Sequence, residues 1–436
     1  MQQRTHRAPP SKRPFGLLPD ADRDPHPRRT WLVETGFDVV LGLAYRREIV
    51  YPGDYRLDPG TLIASNHQRD VDGPMLGTVL VRRRGLHFTW PLPFYATRED
   101  LFRPGILSRL TMHWPKPVSA LLGHVSLAWF FPLGRAEPIR RVREFTLGET
   151  LRALIDAGCG DDDGASLLNA RGRRETGAAP GAFPLRALLE RDDIPLESWW
   201  GLRRLSPPAF GKLAPAFRNT VEMQLRGFAR RLDEGRCVYF SPEGSISIDG
   251  RFGRIRGGFF RLCRMTATPP RILPMGIAYD TLAAGRPRVV IRIGRPFLAD
   301  LAASRREFDA RLRAAILALV SVTPSHLVAR FLACGPARFG TADLAGWLRR
   351  MLDTAARQGV ALDPLFARIP PERLAEQRLR WLARKRLIVR DGDAWRNAWP
   401  HGACPGWRKP ADVVRYLSNG LEDLLPGQQP ADPEGG

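Results

Sequence analysis

The sequence predicts an α/β fold: a mostly parallel central sheet flanked by helices, with a smaller, mainly helical domain at the C-terminal end. Three observations predict it. Short apolar runs at Leu62–Ser65, Cys237–Ser241, Ile272–Ala278 and Val289–Ile293 read as buried strands, because strands covered on both faces are continuously apolar rather than alternating. Stretches of helical spacing separate these runs, and parallel strands need such crossovers. Beyond Pro324 the character changes to successive helical stretches. A chain of 436 residues can hold two or three domains and bury a sizeable core.

In chain order, residues 1–30 are polar and basic and are expected to form a disordered arm without a signal-peptide pattern. Trp31–Tyr45 suggests a helix whose apolar residues lie on the domain or on a membrane. Tyr51–Gly60 is a turn-rich lead-in, Leu62–Ser65 the first core strand and Gly73–Val81 the helix after it. Leu86–Ala96 reads as strand plus loop, and Ile106–Leu110 as a helical patch. The apolar run Val118–Leu133 is interrupted by His124 and contains Pro132, so it reads as a buried helix leading into a strand rather than a membrane span. Leu147, Leu151, Leu154 and Ile155 give Thr146–Ala157 helical spacing. Gly158–Pro215, with its acidic triplet Asp161–Asp163 and Trp199 and Trp200, reads as a partly disordered insertion, either a lid or a decoration. Thr220–Glu234 is helical. The main domain therefore covers residues 31–323, with 158–215 inserted.

Residues 324–436 form the second domain. Ser325–Ala333, Thr341–Gln358 and Pro371–Lys385 look helical, Leu387–Trp395 carries a hairpin signal at Asp391-Gly392, and Ala411–Leu425 is a last helix. Three helices and a hairpin suit a winged-helix-like module.

The formal net charge is +22 and nearly all of the cations are arginines. That sign favours nucleic acid, an anionic membrane surface or small anionic substrates. The arginine excess pervades the chain, so single arginines carry little weight. Five widely spaced cysteines without a C-x-x-C pair point to a reducing cytosol, not to a disulfide framework or a structural zinc site. With no run of 18 apolar residues, membrane contact is expected to be peripheral.

The chemistry centres on Ala64–Gly73, A-S-N-H-Q-R-D-V-D-G. A strand ending in a histidine on a turn can present a general base, and Asp72 five positions on can fold back to hold one ring nitrogen protonated. On a continuous helix that pair would diverge by about 140°, so the arrangement needs the turn. Asp70 is the competing partner. The second stretch is Pro242-Glu243-Gly244, where a tight glycine turn could bring backbone N–H groups to a phosphate. On these residues alone, a packed histidine and an ordinary strand-to-helix turn stay open.

Four blocks together resemble the glycerolipid acyltransferases. They are N-H with an aspartate five after the histidine (His67, Asp72), F-F-P-L-G-R at Phe130–Arg135, V-Y-F-S-P-E-G-S-I-S at Val238–Ser247, and I-L-P-M-G-I-A at Ile272–Ala278. They follow the family's order across residues 56–296. The resemblance selects Asp72 over Asp70. It implies a fatty acyl group moved from acyl-CoA or acyl carrier protein to a hydroxyl of a glycerolipid precursor, glycerol 3-phosphate or its monoacyl form, in phospholipid biosynthesis. His67 would be the base and Asp72 its orienting carboxylate. Arg135, Glu243, Gly244 and Ser245 would anchor the acceptor, with Glu243 orienting an arginine or a glycerol hydroxyl. Ile246 stands where the family has an arginine, so Arg251, Arg254 or Arg256 is expected to replace that phosphate contact; if none does, a non-phosphate acceptor follows. No metal or cofactor is implied, and the expected location is cytoplasmic, on the inner face of the membrane. The C-terminal stretches Val322–Ala329 and Tyr416–Leu425 also resemble the glycerol-3-phosphate branch of the family. The alternative from a different class is a basic nucleic-acid-binding regulator acting through the C-terminal module, although no helix there shows a concentrated reading face in the sequence.

Overall fold

The computed structural model describes residues 27–53, 55, 57–80, 83–84, 87–88, 93–98, 102, 129–139, 145–181, 183–194, 196, 201–398 and 412–428. The expected arm up to residue 26, the helical patch at 106–110 and most of the apolar run from 118 lie outside these. The chain falls into two compact units, one of residues 27–96 with 225–436 and one containing 97–224.

The first unit holds a parallel-rich sheet flanked by helices. In chain order its elements are α1 (Pro27–Ala44), β1 (Arg46–Val50), β2 (Thr61–Ser65), α2 (Asp72–Leu80) and β3 (Phe94–Arg98), then β4 (Val238–Tyr239), α3 (Gly257–Met265), β5 (Arg271–Asp280) and β6 (Arg288–Ile293). Beyond these come β7 (Phe297–Leu298), α4 (Arg305–Leu317), α5 (Pro324–Cys334), β8 (Arg338–Phe339), α6 (Thr341–Arg357) and α7 (Pro371–Arg384). The hairpin β9 (Ile388–Asp391) and β10 (Ala394–Asn397) and the helix α8 (Val413–Glu422) complete it. The main sheet runs β1-β6-β5-β2-β4-β3. β2 is parallel to both β5 and β4, β1 is parallel to β6, and β5–β6 is antiparallel.

β2 is buried along its whole length, which is why its sequence is a plain apolar run with no alternation. β5 contains Pro274, unusual for an inner strand. On one edge its ladder to β7 ends at Ile272 and its ladder to β6 begins at Met275, so the missing N–H falls in a gap. β1, R-R-E-I-V, carries no apolar run to mark it in the sequence, and its charges suit a strand at the sheet edge.

The C-terminal helices belong to this same unit and not to a separate one, so the expected division at 323/324 does not appear as a gap between units. A buried ion network accounts for the union. Asp280, at the end of β5, accepts Arg378 of α7 at 2.7 Å and the Ser325 hydroxyl of α5 at 2.5 Å, and Arg288 of β6 donates to Asp363 at 2.8 Å. Breaking one partner out of such a set leaves an uncompensated buried charge, which costs about 3–5 kcal/mol. Within this region α5, β8, α6, α7, β9 and β10 follow one another with strand order β8-β10-β9.

In the other unit, helix Leu147–Leu154 starts at a capping box between Thr146 and Glu149. It ends three residues earlier than the spacing suggests, in a wider turn at Ile155–Cys159 where Gly158 takes φ +86°. The described residues of 158–215 are not disordered. They form short helices at Gly164–Leu167, Ala170–Thr176 and Leu185–Leu189, and they bury Leu167, Leu168, Leu185, Leu188 and Leu205 in one core. No single period runs through those leucines, so the pattern is invisible to sequence spacing. The helix expected at Thr220–Glu234 is the second half of a longer one, Pro207–Asp233, which tolerates Pro215 inside it. Phe131–Gly134 is a short 3₁₀ turn closed by Arg135 at φ +56°, not the strand its aromatic residues suggest, because Pro132 presets a turn conformation.

Candidate active site

β2 delivers its last residues to the edge of the sheet. Asn66, 4% exposed, clamps the strand end to β5: its Nδ2 donates to the Ile277 carbonyl and its Oδ1 accepts the Ile277 N–H, both at 2.8 Å. The chain then leaves the sheet and turns. Asp72 opens α2, and its carboxylate closes that turn by accepting the backbone N–H groups of Gln68 at 2.6 Å and Arg69 at 2.8 Å on Oδ2. The same oxygen lies 3.0 Å from His67 Nδ1. A carboxylate only accepts, so Nδ1 carries the proton and Nε2 is left with its lone pair. Oδ1 accepts the Tyr279 hydroxyl at 2.5 Å. The carboxylate is fully buried, while the His67 side chain is 19% exposed. The turn thus brings together a pair that a continuous helix would separate, and Asp70 is not the imidazole's partner.

Glu243 sits differently from the expectation. Its carboxylate orients neither an arginine nor an open hydroxyl position. Oε1 accepts the His67 backbone N–H at 2.8 Å and Oε2 the Gly253 N–H at 2.6 Å, with the residue 3% exposed. It is a bracket between two loops. Burial pushes its carboxyl up to about 7, against the pull of those two N–H groups and of His67. Gly244 takes φ +64°, the left-handed conformation that lets the chain reverse after Pro242-Glu243.

His67 lines a narrow cleft whose walls include Asn66, Glu243, Ser247, Arg251, Phe252 and Leu424. Of the arginines offered as phosphate contacts, Arg251 lines this cleft. Arg254 is exposed outside it and acts on Asp309 of α4. Arg256 covers Gly244 and its Nε donates to the Glu243 carbonyl at 3.4 Å. Gly244 and Ser245 lie on the turn between Glu243 and Ser247, which line the cleft, and are not part of its wall. Arg135 belongs to the other compact unit. Among the described residues, no three His, Cys, Asp or Glu side chains are grouped to hold a metal ion.

No protein-family model matches the chain, and no curated protein matches it in sequence. Among solved structures it is similar to the 1-acyl-sn-glycerophosphate (LPA) acyltransferase PlsC from Thermotoga maritima, at 13% identity over 66% of this chain and 76% of that one, with a TM-score of 0.32. The likeness is remote.

Sequence reasoning missed Tyr279 and the Asn66 clamp. Asn66 had a signal, since it stands directly before the histidine at a strand end. Tyr279 had none: it lies 207 residues from Asp72 and reads as one more apolar residue of β5.

Proposed function

We propose that the protein is an O-acyltransferase that moves a fatty acyl group from acyl-CoA or acyl carrier protein to a hydroxyl of glycerol 3-phosphate or its monoacyl form. The observation that carries the reading is the His67–Asp72 pair, 3.0 Å apart at the end of a buried strand, with His67 on the wall of a cleft. In the reaction the acceptor hydroxyl attacks the thioester carbonyl carbon while His67 Nε2 takes its proton. The new C–O bond forms, the C–S bond breaks as the tetrahedral intermediate collapses, and the proton passes to the departing thiolate. Asp72 holds the ring in one tautomer and stabilises the imidazolium between the two steps. Arg251 on the wall of this cleft gives the reading a cation for the phosphate of the acceptor.

The reading includes a peripheral position at the inner face of a membrane. Leu32, Val39, Val40 and Leu43 of α1 are 54–69% exposed and spaced along one stripe, and Arg29 and Arg46 flank them exposed. This exposed apolar stripe is the feature of α1 that supports the reading. No described helix is long and apolar enough to cross a membrane.

The test is transfer of labelled acyl groups by the purified protein to a panel of phosphate and non-phosphate acceptors. Activity with glycerol 3-phosphate or its monoacyl form, lowered about 10²–10⁴-fold in folded His67→Ala, is the expected result. An undiminished His67→Ala enzyme would end the proposal.

A second reading is favoured by one observation. Arg373, Gln377, Arg380 and Arg384 are exposed along one stripe of α7, with Arg380 3.4 Å from Glu376 on the same helix, and a helix face of this kind is what a DNA groove receives. Duplex DNA binding measured against salt separates this reading from the first.

A further inference from the structure

The loop after the Glu243 turn is held from the far end of the chain. Asp423, just past α8, accepts the Phe252 N–H on Oδ2 at 2.6 Å and the Arg313 guanidinium on Oδ1 at 3.0 Å. Arg313, on α4, also donates to the Phe252 carbonyl at 2.8 Å. Asn419 of α8 donates through Nδ2 to the Asp249 carbonyl at 3.0 Å. Between them Gly250, at φ +92°, lies so close to the Tyr416 carbonyl that any side chain would collide with it. The segment 249–253 is therefore fixed at Asp249, Gly250 and Phe252 by groups on α8 and α4.

Its last residue leads to the backbone of His67. Gly253 donates to Glu243 Oε2, and Glu243 Oε1 accepts the His67 N–H. One hydrogen-bonded path thus runs from Asp423 through Phe252–Gly253 and Glu243 to His67. The same segment puts Arg251 on the rim of the cleft, where Gly420, Asp423 and Leu424 form part of the wall.

We propose that Asp423 is a positioning residue: it clamps the 249–253 loop so that Arg251 faces the anionic group of the acceptor and Glu243 keeps the His67 turn in place. The kinetic part of this proposal rests on the acyl-transfer reading; the clamp itself does not. The physical need is plain. A five-residue loop with glycines at 250 and 253 has many conformations to lose. Charge-assisted bonds from a carboxylate are the strong ones available to select one of them. A mere fastener of α8 to α4 would behave differently, loosening α8 and the loop alike and leaving substrate affinity alone.

The experiment compares the full-length wild type and Asp423→Asn by amide hydrogen exchange and by steady-state kinetics. Exchange in residues 248–256 should rise about tenfold or more in the variant while 413–422 stays within about twofold. The KM for glycerol 3-phosphate should rise about tenfold with the KM for acyl-CoA unchanged, the mark of a lost acceptor contact. Unchanged exchange in 248–256 overturns the clamp, as does an equal loss of protection in 413–422. Equal rises in both KM values overturn the assignment of Arg251 to the acceptor. A wild type inactive on every acceptor would sink the acyl-transfer reading while the exchange data still decide the clamp. If Asp423→Asn does not fold, Arg313→Met, at a side chain 37% exposed, removes contacts on the same loop and takes the same measurements.

Discussion

Replacing Asp72 by asparagine isolates the charge of the site from its shape. Asp72 Oδ2 takes three bonds, from His67 Nδ1–H at 3.0 Å and from the Gln68 and Arg69 N–H groups at 2.6 and 2.8 Å, and Oδ1 takes the Tyr279 hydroxyl at 2.5 Å. Asparagine has a single acceptor oxygen. Three donors on one side dictate where that oxygen goes, so the NH₂ turns to Tyr279, whose hydroxyl can accept instead of donate. All four contacts survive and no cavity opens. Each bond to the former carboxylate weakens from about 1.5–3 to about 0.5–1.5 kcal/mol, and relief from burying a charge offsets part of that loss. The net change in stability should stay within about 2 kcal/mol. Asp72→Ala, by contrast, strands several donors where the side chain has no exposure, at about 1–3 kcal/mol each. Activity should fall in both, by about 10²–10⁴-fold for the asparagine variant, because nothing then stabilises the imidazolium. Urea unfolding and initial acyl-transfer rates read the two effects separately. An Asp72→Asn enzyme within twofold of wild-type kcat, or one as unstable as Asp72→Ala, would refute the reasoning.

Two further outcomes are expected. His326 is 2% exposed, its Nδ1 accepts the Thr323 N–H at 3.1 Å, and burial pulls its pKa from 6.5 down to about 4. Because the folded-state value lies below the unfolded one, its contribution is complete above about pH 6.5 and is lost as pH falls through 4, an amount of about 3 kcal/mol. His326→Gln keeps a cap acceptor at the third position of α5 without the proton site. Its stability relative to wild type, from urea midpoints, should rise by about 3 kcal/mol between pH 7 and pH 4; a constant difference would show that His326 does not titrate this way. For the exposed stripe on α7, the acyltransferase reading expects no strong retention of duplex DNA at 0.15 M salt. A steep fall of affinity with salt that Arg380→Ala and Arg384→Ala together abolish would instead establish nucleic-acid binding.

The sequence by itself determined the main strands and most of the helices. Leu62–Ser65 and Ile272–Ala278 are apolar without interruption because both faces are covered, and α6 and α7 carry helical spacing. It also offered His67 with Asp70 or Asp72, a local choice whose closure needs only the turn between them, and the resemblance to the acyltransferase blocks selected Asp72. Tertiary structure decided everything that depends on distant residues meeting. Tyr279 reaches Asp72 across 207 positions, Glu243 reaches the His67 backbone across 176, and Asp423 reaches Phe252 across 171. Nothing in the local pattern of any of these residues marks its partner. The sheet order brings β2, β4 and β5 together, and the buried ion network ties the C-terminal helices to that sheet. Burial then makes each polar group find a partner, because leaving it unpaired there costs more than a solvent-exposed contact would return.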